Sequence, residues 1–89
     1  MKIKLELFGA SRDFSNNDHL EIEVQDKSSI NDLRNEIIKY IDKNFNSNEN
    51  FIKIVKSSAF CSENNEIIND SYIITKEQKI SIIPPIGGG

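Results

Sequence analysis

The chain has 89 residues, with 11 Lys and Arg against 14 Asp and Glu, one His, one Cys, no Trp and a net charge of −3. That length holds one small core, the negative balance argues against a general nucleic-acid binder, and the single cysteine, Cys61, cannot form an internal disulfide. No apolar run is long enough to span a bilayer, and Met1-Lys2-Ile3-Lys4-Leu5-Glu6 alternates too strictly for a signal peptide, so a cytoplasmic protein without membrane attachment is expected.

Ile, Leu, Val and Phe supply 27 of the 89 residues, enough for a folded globule but a thin one. Asn and Lys are as abundant as the Ile content would suggest for AT-rich coding, so clusters of either carry little weight. With one His and one Cys, a metal cage or a nucleophilic dyad has no partners at the right spacing.

Residues 2–8 place Ile3, Leu5 and Leu7 on one face and Lys2, Lys4 and Glu6 on the other, the period of a half-buried strand. Gly9 to Asn17 reads as a polar loop, and residues 19–25 alternate again with Leu20, Ile22 and Val24 inward, giving a hairpin with a long connection. His19 is expected to be solvated and without a partner. The period then changes. Ser29 can accept a backbone N–H at a helix start, Asp32 stands where a capping-box acid belongs, and Ile30, Leu33, Ile37 and Ile41 repeat at helical spacing, which predicts a helix over 29–43.

Asn44 to Asn50 reads as a loop, and 52–55 with 58–61 as one broken strand or two, Cys61 being a small core or strand residue. Asn64-Asn65 is a turn dipeptide, Glu66-Ile67-Ile68 a short strand and Lys79 to Ile83 the last strand, with Ile80 and Ile82 inward. Two strands, a helix and two or three further strands fit an α+β chain of the ubiquitin-like β-grasp type, a mixed four- to five-stranded sheet packed on one main helix. Residues 1–83 would form this domain and 84–89 a flexible tail.

That tail, Pro84-Pro85-Ile86-Gly87-Gly88-Gly89, pairs two residues of fixed φ with three that lack side chains. A stiff exit followed by a thin end suits a probe that threads a narrow channel, with an extended reach of roughly 20 Å. If the first and last strands are neighbours, outward Phe8, Ile67 and Ile83 form an apolar patch at the base of the tail.

The chain resembles the small sulfur-carrier subunits of molybdopterin synthase, within the MoaD/ThiS-type branch of ubiquitin-like proteins. The resemblance rests chiefly on Ile82-Ile83-Pro84-Pro85-Ile86-Gly87-Gly88-Gly89. Phe8-Gly9-Ala10-Ser11-Arg12-Asp13, Ser29-Ile30-Asn31-Asp32-Leu33-Arg34 and Asn64 support it in matching order along the chain. Two positions depart from the pattern: Glu63 stands where the family prefers an aliphatic residue, and Lys76-Glu77-Gln78-Lys79 lacks the usual glycine before the last strand. Both bring the local strand register into question.

The resemblance implies a non-catalytic, sulfur-donating subunit of a sulfurtransferase complex. Gly89, followed inward by Gly88, would carry the reacting carboxylate, adenylated with ATP by an activating enzyme and converted to a thiocarboxylate by a sulfur donor. Phe8, Ile67, Ile83, Pro84, Pro85, Ile86 and Gly87 would meet the partners. No cofactor would be bound. The partner would be the large catalytic subunit of molybdopterin synthase, in a heterotetramer, and the acceptor cyclic pyranopterin monophosphate. The alternatives are a sulfur carrier for thiamine thiazole, tRNA thiolation or cysteine synthesis, a ubiquitin-like modifier of lysines, or a plain binding module whose tail does no chemistry. Thiazole carriers usually lack the proline pair.

Overall fold

The computed structural model describes residues 1–86. Its strands are β1 (Lys2–Leu7), β2 (His19–Glu23), β3 (Ala59–Cys61), β4 (Ile67–Ile68) and β5 (Lys79–Ile83), and its helices are α1 (Ile30–Asn44) and α2 (Glu49–Ser57). The strands form one mixed sheet in the order β2-β1-β5-β3-β4. β1 and β5 run parallel at its centre with Leu5 opposite Ile80 and Leu7 opposite Ile82, and every other pair is antiparallel. A parallel pair needs a long crossover, and the chain between β2 and β5 supplies it. This is the β-grasp architecture expected from the order of periods, at the five-stranded end of the expected range.

The alternation of β1 and β5 and the helical spacing of α1 meet in one core. Ile3, Leu5, Leu7, Ile80 and Ile82 face Ile30, Leu33, Ile37 and Ile41, all essentially without exposed surface. Ser29 caps α1 as expected: its side chain accepts the Asp32 N–H at 3.0 Å, and the Asp32 carboxylate accepts the Ser29 N–H at 2.9 Å. Ile74 also enters the core through a segment without regular structure, held by its N–H donating to the Ser28 carbonyl at 2.8 Å.

Three expectations need correcting. Residues 52–55 are not a strand but the body of α2, and Glu49 and Asn50, expected in a loop, are its first turn. A short apolar run does not distinguish strand from buried helix by itself, and tertiary contacts decide. Here Asn48 caps the helix by accepting the Phe51 N–H at 3.1 Å, Phe51 packs on Phe14 and Phe45 at centroid distances of 5.1 and 5.0 Å, and Val55 is fully buried. The segment expected as a polar loop after β1 contains a 3-10 helix over Gly9–Phe14, because buried Phe14 anchors it and the Tyr40 hydroxyl donates to the Phe14 carbonyl at 2.7 Å. His19 does have a neighbour, the Asp18 carboxylate at 3.0 Å from Nδ1, and this hydrogen bond holds the Asp18 carboxyl below its ordinary value.

Both departures from the family pattern are absorbed locally. Glu63 lies in an exposed turn beyond the end of β3, closed by the Ser62 N–H donating to the Glu66 carbonyl at 2.8 Å with Asn65 at a φ of 63°. The turn before β5 uses no residue of positive φ, so it needs no glycine; the Glu77 carboxylate accepts the Lys2 N–H at 2.7 Å and ties it to β1.

Candidate functional site

The site is built where β5 ends. β5 lies between β1 and β3, so the chain leaves the sheet from its interior rather than from an edge. Ile82 is buried, Ile83 half-buried, Pro84 buried and Pro85 exposed, while Ile86 is 100% exposed. The path from core to solvent therefore takes four residues, two of them prolines with fixed φ.

Pro84 sits against the turn that follows β1. Gly9 has a φ of 55°, and its missing side chain would lie 3.9 Å from the Pro84 ring. A left-handed backbone conformation favours glycine, so Gly9 turns the chain under the proline without strain. Ser11, fully buried, holds this turn from inside: its hydroxyl accepts the Phe8 N–H at 3.0 Å and donates to the Phe8 carbonyl at 2.6 Å. The motif Phe8-Gly9-Ala10-Ser11 thus shapes the seat of the tail.

Register sets the outward face. Leu7 opposite Ile82 extends to Phe8 beside Ile83, and Ile83 pairs in turn with Ala59 of β3. Phe8 is 42% exposed and Ala59 is exposed, so these three form one row across the base of the tail. Ile67, 78% exposed, is not a neighbour of Ile83: β3 stands between them, and Ile67 pairs with Cys61 in the adjoining row. Ala59 and Cys61 therefore bridge the expected patch. Sequence reasoning missed Ala59 in this role, because a strand of three residues is too short for alternation to show which of them face outward. Cys61 is half-buried on this outward face, not in the core. On the same face the Lys79 ammonium lies 3.3 Å from the Glu6 carboxylate, a partly exposed pair that adds little stability.

Of the expected site residues, the structure brings Phe8, Ile83 and Pro84 together, leaves Pro85 and Ile86 projecting beyond them, and joins Ile67 through β3. Gly87, Gly88 and Gly89 lie outside the described residues. Among the described residues, no group of three or more His, Cys, Asp or Glu side chains is placed to hold a metal ion, and no helix is long and apolar enough to cross a membrane.

Arg34 is the residue whose role sequence reasoning missed most completely. Its side chain is only 13% exposed. Nη1 donates to the carbonyls of Val55, Lys56 and Ser58 at 2.6, 3.3 and 2.9 Å, Nη2 meets the Asp70 carboxylate at 2.6 Å, and the guanidinium stacks 4.8 Å from the Phe60 ring centroid. A cation on carbonyls left open at a helix end satisfies them and opposes the helix dipole. Arg34 thus fastens the end of α2 to α1 and β3.

The ThiS family profile matches residues 5–89. Among solved structures, SAMP1 from Haloferax volcanii is similar with a TM-score of 0.69 at 10% identity, over 100% of both chains. A protein from Pyrococcus furiosus, assigned the name molybdopterin converting factor, subunit 1, is similar with a TM-score of 0.69 at 21% identity, over 96% of this chain and 98% of that one. At those identities the likeness shows a common fold. No curated protein sequence matches significantly.

Proposed function

This chain belongs to the ThiS family, and on that premise we propose that it is a sulfur carrier, the small subunit of a molybdopterin synthase. The observation that carries the reading is the tail exit. A central strand delivers Pro84 into a buried seat beside Gly9 and projects Ile86 fully into solvent, three residues before Gly89. The core thus holds the base of a segment that, on this reading, delivers Gly89 to another protein's active site.

The chemistry follows from a C-terminal Gly89 carboxylate. At neutral pH it is an anion and a poor electrophile. In the activating enzyme a carboxylate oxygen attacks the α-phosphorus of ATP, the bond to the β-phosphate breaks and pyrophosphate leaves. A sulfide-level sulfur from the donor then attacks the carbonyl carbon and AMP leaves, giving the thiocarboxylate. In the second partner the thiocarboxylate sulfur attacks an acceptor carbon and displaces the oxygen bonded there, which leaves as water or as a phosphate oxygen; hydrolysis of the carbonyl–sulfur bond then returns Gly89 as a carboxylate and leaves the sulfur on the acceptor as a thiolate. Glycine offers the least hindered carbonyl to each nucleophile. Catalytic groups are supplied by the partners, whose channel should present cationic and backbone N–H donors to the anionic end.

The proline pair supports the molybdopterin branch, as does likeness to the Pyrococcus furiosus protein. On this reading the second partner is the large catalytic subunit, in a heterotetramer, and two successive transfers convert cyclic pyranopterin monophosphate to a dithiolene. The row of Phe8, Ile83 and Ala59, extended by Cys61 and Ile67, supplies an apolar surface for the partners to cover. The test is reconstitution with the large subunit and cyclic pyranopterin monophosphate. Thiocarboxylated chain should yield the dithiolene and the carboxylate form none. Failure of the thiocarboxylated chain here, with success on a thiazole or tRNA acceptor, would move the function to that pathway.

A further inference from the structure

A second surface meets the tail on the opposite side from the sheet patch. Between the 3-10 turn after β1 and α2 lies a cleft of about 240 Å³, walled by Ala10, Ile54, Pro84 and Pro85, with Asn50, Ser57 and Lys53 beside them. Two of its walls are the prolines through which the chain leaves β5. The exposed Ile86 follows directly from them, so a partner that grips the tail from the α2 side would lie over this cleft.

Its chemistry is specific. The lining is mostly apolar, and among the described residues Lys53 is the only charged side chain in it, although the whole chain has a net charge of −3. An apolar cleft with a single cation on an otherwise acidic protein fits an aliphatic side chain followed by a carboxylate. Its volume suits one or two side chains rather than a cofactor.

We propose that this cleft is a docking site for an acidic, aliphatic-bearing segment of the adenylating partner, so that the tail base is held from the α2 side during activation. The inference rests on the carrier reading. Activation is the step common to every possible sulfur acceptor, and a cleft formed by the tail's own prolines serves it whichever acceptor follows.

The experiment is ATP–pyrophosphate exchange by the purified adenylating enzyme of the same cells, with this full-length chain as substrate. Lys53→Glu reverses the one charge and Ala10→Trp fills the cleft; both residues are exposed, so the fold should survive. Lys39→Glu, on α1 and outside the cleft, is the control. Each cleft variant should raise the KM for the chain about tenfold, with kcat within about twofold and the control unchanged. Normal exchange with the wild-type chain and unchanged KM for both cleft variants would overturn the docking site and leave the carrier reading standing. An equal rise with Lys39→Glu would also overturn it, since general electrostatics would then suffice. No exchange with the wild-type chain would overturn the carrier reading and the docking site together.

Discussion

Arg34 and Tyr40 show how single side chains fix the parts of the molecule that lie under the tail. Arg34 satisfies three carbonyls at the end of α2 and pairs with Asp70. Arg34→Ala leaves those carbonyls without their donor and should cost about 2–3 kcal/mol, read from the midpoint of urea unfolding. Arg34→Lys should recover little, because a lysine has no planar fork to reach carbonyls and carboxylate together. The Tyr40 hydroxyl holds the 3-10 turn through Phe14, and burial pushes its phenol above the ordinary value. The raised value favours the protonated phenol in the folded state. Its contribution is therefore complete below the unfolded-state pKa and is lost as pH rises through the folded one. Tyr40→Phe should be about 1 kcal/mol less stable at neutral pH, and should lose part of the decline in stability that the wild type shows above about pH 10. Unfolding curves at neutral and alkaline pH check both statements.

At the scale of elements, α2 is the piece whose presence depends most on its surroundings. Its nine residues are too few for a stable isolated helix, so it relies on the Asn48 cap, the Phe14–Phe45–Phe51 cluster and Arg34. Asn48→Ala should destabilise the protein by about 1 kcal/mol and speed amide hydrogen exchange in α2 more than in α1. The same dependence explains what could be read in advance. β1, β2, α1 and β5 carry uninterrupted periods, and Ser29 with Asp32 marks a helix start in the sequence itself. α2 carries four apolar or aromatic residues in a short run whose period is ambiguous, and its decisive partners, Phe14 and Arg34, lie far away in sequence. β3 and β4 have three and two residues, too short for alternation to declare itself. The outward set of Phe8 and Ile83 is legible because it follows from local alternation. The link through Ala59 is not, because it depends on β3 standing between β5 and β4.

For the whole molecule, the parallel β1–β5 pair at the centre is what makes the chain leave the sheet from its interior. Placing the last strand in the interior lets core burial of Ile80 and Ile82 hold the base of the tail, while Gly9, at a φ of 55°, turns the chain beside Pro84. Gly9→Ala meets no severe clash but must adopt a φ of 55°, and should cost about 1 kcal/mol of stability with the tail sequence unchanged. Thermal unfolding monitored beside the wild type checks it.

The proposal that Gly89 carries the sulfur is tested by the intact mass of the chain, tagged at its N-terminus and recovered from its own cells. A fraction of molecules should be heavier by the exchange of one oxygen for one sulfur, placed by fragmentation on Gly89 and absent when Gly88 and Gly89 are deleted. A chain found only as the carboxylate in cells that are actively making the sulfurated product would contradict it.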